Sequence, residues 1–102
     1  MSTRKPKPLL SDAELEQIAR HFRLLGEPMR LKILQAVCQT PRTVTDIVAA
    51  TGATQANVSK HLALLAAAGI LQREKDGQYV YYGVKERLVV QLCELVRARL
   101  AE

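Results

Sequence analysis

The chain has 102 residues, which is enough for one domain with a modest core, and its 48% hydrophobic content is typical of a globular protein and not of a disordered one. Fifteen basic residues against ten acidic ones give a formal net charge of +5, a balance that suits a phosphate-binding surface. No apolar run approaches the ~18 residues of a membrane span and no signal-peptide stretch occurs, so we expect a cytoplasmic protein without a membrane partner.

The first ten residues alternate basic side chains with prolines, a pattern that precludes a regular helix. We predict a flexible basic tail over residues 1–10, either solvated or in contact with phosphates. A single domain is expected to follow over residues 11–102.

A first helix is predicted to begin at Ser11, because Ser11 and Glu14 have the spacing of a capping box. Its apolar stripe comprises Leu15, Ile18, Ala19, Phe22 and Leu25. Gly26 is expected to end it in the left-handed conformation, and Pro28 suits the first turn of a second helix that stops at Pro41. The apolar face of the second helix comprises Leu31, Leu34, Val37 and Cys38.

Two shorter helices follow, separated by a tight turn. Thr43 with Asp46 is expected to begin the third helix and Gly52 to close it. Thr54 is the expected N-cap of the fourth helix, which ends near Gly69. The inward stripe of this fourth helix comprises Val58, Leu62 and Leu65.

The periodicity then changes from helical to alternating. Residues 70–74 and 78–84 are predicted strands on either side of residues 75–77, where Asp76-Gly77 is a strong signal for a short hairpin turn. Helical spacing returns from Lys85 to the end of the chain. Its apolar seam comprises Val89, Leu92, Val96 and Leu100, widened by Leu88 and Leu95.

The order of these elements predicts a mainly α-helical fold of five helices, with a two-stranded β-hairpin between the fourth and the fifth. Two short helices across a tight turn, followed by a hairpin, are the parts of a winged helix-turn-helix. In that architecture the second of the two short helices enters the major groove of double-stranded DNA.

The fourth helix has the two faces that a DNA-reading helix needs. Opposite its apolar stripe lie small or polar residues that fit a groove about 12 Å wide: Gln55, Ala56, Ser59 and Lys60. Gln55 suits two hydrogen bonds to adenine and Ala56 a thymine methyl group, while Ser59 and Lys60 suit a base or a phosphate. Thr54 and the helix N-terminus suit a phosphate.

The hairpin is the second candidate DNA element. Arg73, Lys75 and Gln78 flank its turn and suit phosphate or the minor groove, although Glu74 and Asp76 oppose dense phosphate contact. Tyr79 and Tyr81 share one strand face, and Val80 and Tyr82 share the other. We expect these aromatic rings to pack on the sheet, with base stacking as the alternative.

Three blocks of sequence, in order, resemble the ArsR/SmtB family. Residues 25–34 (LGEPMRLKIL) resemble its second-helix signature, residues 53–62 (ATQANVSKHL) its recognition helix, and residues 80–82 (VYY) its wing. The resemblance extends over about residues 14–100. It implies a homodimeric repressor that binds an imperfect palindrome and leaves this operator when an inducer, which the sequence does not identify, binds.

The resemblance also assigns roles to residues. Gln55, Ala56, Ser59 and Lys60 would read the groove, with Thr54 and His61 near the DNA backbone; the alternative for His61 is to cap or pack. The first and last helices would form the dimer interface. Its residues would be Leu15, Ile18 and Phe22 of one protomer against Leu88, Val89, Leu92, Val96 and Leu100 of the other. The last seam is longer than a lone domain needs, which favours the same interface.

No metal or other cofactor is expected, because residues 42–47 hold no cysteine and the last helix holds no histidine, whereas family members that sense metals carry such ligands there. For Cys38 and Cys93 two interpretations stay open. They are buried core thiols, or they form a pair that senses oxidants or reactive sulfur, as in some relatives.

Three other functions compete with that of a DNA-binding regulator. An enzyme is not expected, since the sequence holds no nucleophile elbow, P-loop, zincin or dinucleotide motif. A winged helix that binds protein would show an apolar or acidic face on the fourth helix. A sequence-neutral chromosome binder would show salt-dependent binding without a preferred site.

Overall fold

The computed structural model describes residues 10–102, so the predicted tail, except for Leu10, lies outside the described residues. Within this range five helices and one antiparallel two-stranded sheet occur in the predicted order. They are α1 Asp12–Leu25, α2 Pro28–Val37, α3 Val44–Thr51, α4 Gln55–Ala67, β1 Leu71–Asp76, β2 Tyr79–Val84 and α5 Leu88–Leu100. The predicted winged helix-turn-helix architecture is confirmed.

Side-chain caps fix where three of the helices begin. At α1 the Ser11 hydroxyl accepts from the Glu14 amide and the Glu14 carboxylate accepts from the Ser11 amide, so the predicted capping box is present. The pKa of the Glu14 carboxyl is lowered first by the hydrogen bond that it accepts from the Ser11 backbone and second by the Ser11 side chain. Both contacts favour the ionised carboxylate. Thr43 and Thr54 accept from the amides three residues on, and so cap α3 and α4.

Gly26 does not adopt the left-handed conformation predicted for it, since its φ is −79°. Its amide donates to the Arg23 carbonyl at 3.3 Å, and α2 begins only two residues later with Pro28, so a tight right-handed turn suffices. A Cβ at Gly26 would lie 3.2 Å from the Phe22 carbonyl oxygen. A larger residue would have to shift this contact by a few tenths of an ångström, so glycine is favoured at this helix end for space and not for a positive φ.

The hairpin turn lies one residue further along than the sequence predicted. Asp76 pairs with Tyr79, so the two-residue loop is Gly77-Gln78 and Asp76 belongs to β1. Gly77 has a φ of +64°, and no non-glycine residue among residues 10–102 has a positive φ. These signs are those of a type II′ turn, in which glycine takes the first central position.

The core lies between the helices of the middle of the chain and the base of the hairpin. Its buried residues are Ile33, Leu34, Val37, Ile47, Val58, Leu62, Leu65, Ile70, Leu71 and Val89. Helix α1 contributes no buried residue to it, and α5 contributes only Val89. Among residues 10–102, no helix has both the length and the apolar character needed to cross a membrane.

Candidate nucleic-acid interface

Helix α4 presents two chemically distinct faces. Val58, Leu62 and Leu65 are at most 1% exposed and pack in the core with α2 and α3. The predicted reading residues all lie on the exposed side: Thr54, Gln55, Ala56, Ser59 and Lys60. Because the buried side chains hold the helix in place, these polar groups stand on a rigid support and not on a loop.

The N-terminus of α4 is also exposed and suited to an anion. Gly52, with a φ of +74°, ends α3, and Thr54 caps α4 by accepting from the Asn57 amide at 3.2 Å. The first amides of an α-helix have no partner within the helix and point along its axis. A phosphate placed at Gln55 would meet these amides together with the positive end of the helix dipole.

His61 lies on the inner side of α4, which differs from the DNA-backbone position that the family resemblance implied. Its ring is only 9% exposed, and its Nδ1 accepts a hydrogen bond from Arg30 Nε at 3.2 Å. The physical reason is helical spacing, because His61 falls three residues after Val58 and four before Leu65, within the buried stripe. The structure thus matches the packing alternative for His61.

Arg30 is the hydrogen-bond partner of His61, and the sequence interpretation missed it. It is half-buried on α2, and besides its bond to His61 its Nη1 donates to the Leu24 carbonyl at the end of α1, at 3.4 Å. Arg30 and His61 lie 31 residues apart in the chain. A polar residue within the apolar stripe of α4 was the one available signal that His61 needs a buried partner.

The two faces of the hairpin separate its charges. The register pairs Arg73 with Tyr82 and Lys75 with Val80, so these cations share a face, while Glu74 and Asp76 lie on the other face. That second face also carries Tyr79 and Tyr81, as the strand alternation predicted. Their ring centroids lie 6.5 Å apart. The two carboxylates that were expected to oppose phosphate contact therefore lie on the opposite face of the ribbon from the two cations.

The base of the hairpin is fixed to the end of α2. Arg42 and Tyr82 exchange two backbone hydrogen bonds of 3.0 and 2.8 Å, and Arg42 Nε donates to the Ala36 carbonyl at 2.8 Å. A Cβ at Gly83 would lie 3.1 Å from Pro41 Cγ, so glycine permits this close approach. The hairpin is thereby held in a defined position relative to the helices.

The outer helices expose large apolar side chains. On α1 and α5 the exposed residues are Leu15, Ile18, Phe22, Leu88, Leu95, Val96 and Leu100, with exposures between 39% and 80%, and Leu92 is half-buried. Val89, which the sequence assigned to the dimer interface, is fully buried in the protomer's own core instead. The reason is that the first turn of α5 packs on the core, whereas residues 93–100 of the same helix are exposed.

The two cysteines line one cavity of about 600 Å³ between α2 and α5. Cys38 is half-buried, and its Sγ donates to the Gln35 carbonyl at 3.3 Å, whereas Cys93 is exposed. The interpretation of both thiols as buried core residues is therefore wrong for Cys93. Within residues 10–102, no three His, Cys, Asp or Glu side chains form a group that could hold a metal ion.

A winged helix-turn-helix whose second short helix exposes a polar face defines a class of DNA-binding proteins, and comparison with known proteins narrows that class. Residues 27–73 match the family described as "Bacterial regulatory protein, arsR family". The chain is 37% identical over 84 residues to a probable mercury resistance operon repressor of Streptomyces lividans, covering 82% of this chain and 67% of the relative. It is 33% identical over 92 residues to the cadmium resistance transcriptional regulatory protein CadC of Listeria innocua, with coverages of 89% and 77%.

Solved structures agree with these sequence matches. The AntR antimony-specific transcriptional repressor superposes with a TM-score of 0.83 at 27% identity, covering 99% of this chain and 95% of that chain. The homodimeric winged helix-turn-helix DNA-binding domain of Mb0332 from Mycobacterium bovis gives a TM-score of 0.79 at 29% identity, with coverages of 97% and 92%. The chain belongs to the ArsR family of bacterial transcriptional regulators. These matches do not favour the thiol-sensing alternative.

Proposed function

We propose that two copies of this chain form a repressor that binds a palindromic operator in double-stranded DNA and leaves it when an inducer binds. The observation that carries the proposal is the division of α4 into a fully buried apolar face and an exposed face of Gln55, Ala56, Ser59 and Lys60. Such a helix is locked to its own domain on one side and is free to enter a major groove on the other.

Each of these four residues of α4 has a role set by its chemistry. Gln55, in the first turn, pairs its amide with the N6 and N7 edge of adenine, and Ala56 contacts a thymine methyl group. Ser59 and Lys60 lie one turn further along and contact a base edge or a phosphate. Thr54 and the first amides of α4 hold a backbone phosphate and so fix the register of the helix in the groove.

The hairpin supplies the second contact. Arg73 and Lys75 are both exposed and share one face of the ribbon, which directs their charge to a phosphate or into the minor groove beside the reading helix. The backbone bonds between Arg42 and Tyr82 hold the hairpin at a fixed angle, so the two contacts act together. Glu74 and Asp76 lie on the opposite face, so they do not stand between these two cations and a phosphate.

The exposed apolar side chains of α1 and α5 support the homodimer. Large contiguous apolar surfaces are unusual on a monomeric protein and are generally covered by a partner. We assign Leu15, Ile18 and Phe22 of one copy to contacts with Leu92, Leu95, Val96 and Leu100 of the other, with Leu88 at the margin. A twofold dimer presents two reading helices to two successive major grooves, about 34–36 Å apart, which is why the operator is a palindrome.

The test is selection of binding sites from fragmented genomic DNA by the purified protein, followed by affinity measurements on the enriched site and its variants. We expect one palindromic site. Gln55→Ala is expected to relax preference at one position of each half-site and to cost about 1–3 kcal/mol. Lys60→Gln should weaken binding to all sequences and reduce the salt slope by about one for each phosphate that the lysine neutralises.

The matched control is Gln35→Ala, which removes the same side chain from an exposed position on α2, outside both proposed contacts. It should bind as the wild type does. Salt-sensitive binding without an enriched site would instead identify a sequence-neutral chromosome binder. Absence of DNA binding would contradict the proposal and favour a winged helix that binds protein.

A further inference from the structure

One arginine joins the helix that reads DNA to a helix that carries the exposed apolar stripe. Arg30 lies on α2 between the two, and it donates from Nε to His61 Nδ1 on α4 at 3.2 Å and from Nη1 to the Leu24 carbonyl of α1 at 3.4 Å. Both bonds are partly buried. The link therefore runs through one side chain from the end of α1 to the inner face of α4.

The chemistry of the two partners fixes which group donates and which accepts in this link. Arginine has five donors and no acceptor, so Nδ1 of His61 must be the acceptor and the neutral ring must carry its proton on Nε2. The guanidinium is planar, and its donors have a fixed geometry, so the positions of the ring and of the Leu24 carbonyl are fixed relative to each other. A lysine, whose ammonium is a single point on a flexible stem, does not reproduce this arrangement.

The end of α1 benefits from the same contact. Leu24 supplies one of the last four carbonyls of α1, which have no amide partner within the helix. A cation at that end also interacts favourably with the helix dipole. Loss of the guanidinium would therefore release two groups at once: the terminal carbonyl of α1 and the inward-facing ring of α4.

We propose that Arg30 is a positioning residue that couples the orientation of α4 to that of α1, and so sets the separation of the two reading helices in the dimer. This inference deepens the proposed function and rests on it. Arg30 and His61 need not touch DNA for this role. Their effect is on where the residues that do touch DNA are held.

The direct test measures the α1–α4 geometry without DNA. Spin labels are placed at Ala13→Cys on α1 and Ala63→Cys on α4, both exposed, in a Cys38→Ser, Cys93→Ser background diluted with unlabelled protein. We expect a narrow distance distribution that broadens or shifts with Arg30→Met or His61→Phe. His61→Asn, which keeps an acceptor near the Nδ1 position, should restore the narrow distribution. An unchanged distribution in Arg30→Met would overturn the inference.

The second test uses the operator selected by the wild type, with half-site spacings changed by single base pairs. Arg30→Met and His61→Phe should each weaken binding at the natural spacing by about tenfold and flatten the spacing preference, and the double variant should be no weaker than the worse single one. His61→Asn should keep the preference. All variants are compared where circular dichroism shows them fully folded.

The two proposals fail separately in these experiments. If the wild type enriches no DNA site, the proposed function fails, and the spin-label distances still decide whether Arg30 sets the helix geometry. If Gln55→Ala relaxes specificity while Arg30→Met keeps both the spacing preference and the distance distribution, DNA reading stands and the positioning role of Arg30 falls. A general loss of stability alone would lower the melting temperature without changing the spacing preference of the folded protein.

Discussion

The buried apolar side chains of the core all lie between α2 and the first turn of α5. In contrast, α1 and the rest of α5 expose most of their large apolar side chains. Leu65 and Ile47 are fully buried, while Phe22 is 58% and Leu95 is 68% exposed. The middle of the chain therefore has a complete core of its own. The outer helices have amphipathic faces that one copy leaves uncovered.

The same kind of sequence pattern thus serves two physical purposes in the two regions. The stripes of α1 and α4 both have helical spacing, but the stripe of α4 stabilises the protomer, and we assign that of α1 to assembly. Substitutions in the middle of the chain should therefore act on folding, and substitutions in the outer helices should act on dimerisation.

Leu95→Asp should abolish the dimer and leave the protomer folded. Leu95 is exposed in one copy, so the new carboxylate is solvated in the monomer, whereas in the dimer it would be buried without a partner at two symmetry-related places. We expect the dimer to weaken by at least about 3 kcal/mol, measured by sedimentation equilibrium. Leu64→Asp, at an exposed leucine of α4, is the matched control and should remain dimeric. A dimeric Leu95→Asp protein would remove α5 from the interface.

Leu65→Ala should destabilise the protomer itself. Leu65 is fully buried, so the substitution removes apolar burial and leaves a cavity, at a cost of about 2–5 kcal/mol in the free energy of unfolding. Denaturant unfolding at a fixed protein concentration measures it, because dimerisation contributes to apparent stability. The neighbouring Leu64→Ala, at a residue 41% exposed, should cost much less. Equal losses would show that the core assignment is wrong.

Thr54→Ala should separate stability from DNA binding within the middle region. The substitution removes a cap from α4 and should cost about 1 kcal/mol of stability. Thr43→Ala removes the equivalent cap from α3, so its stability loss should be similar. Only Thr54→Ala should also reduce operator affinity, since its hydroxyl lies at the N-terminus proposed to hold a phosphate. Equal operator affinities for the two variants would argue against that phosphate site.

A pH dependence confined to α1 should be the weakest of these effects. The Ser11 hydrogen bonds lower the pKa of Glu14, so the cap contributes stability above the ordinary pKa of a glutamate and loses it as the pH falls through the lowered value. The protection of amides in the first turn of α1 against hydrogen exchange should therefore fall on acidification, relative to the protection of amides in α4. Glu14→Gln, which keeps a capping box without a titrating group, should remove this dependence. If the first turn of α1 opens equally on acidification in the wild type and in Glu14→Gln, this pH dependence does not come from Glu14.

Much of the fold was predictable because its signals are local. The Ser11–Glu14 capping box, the Thr54 cap and the apolar stripe of α4 each depend on residues within about two helical turns of each other. The exposed polar face of α4 followed from the same stripe. Residue patterns and the family resemblance thus predicted α4 and the exposed positions of its polar face, whereas its role in reading DNA stays a prediction.

The failures have a different physical origin, since each depends on what surrounds the residue in space. Val89 has the spacing of the α5 seam, but only the first turn of that helix lies on the core. The conformation of Gly26 depends on how soon α2 begins, and the environment of His61 depends on Arg30, which lies 31 residues away in the chain. One-dimensional spacing contains none of this information.

The number of chains bound to one operator decides whether this protein reads DNA as a twofold dimer. Sedimentation of the wild-type protein on the selected palindrome, and on a single half-site, measures that number. We predict two chains per palindrome, bound together, with half-sites about 10–10.5 base pairs or a multiple of that apart and a single half-site bound far more weakly. One chain per palindrome, with equal affinity for the half-site, would contradict the dimeric repressor.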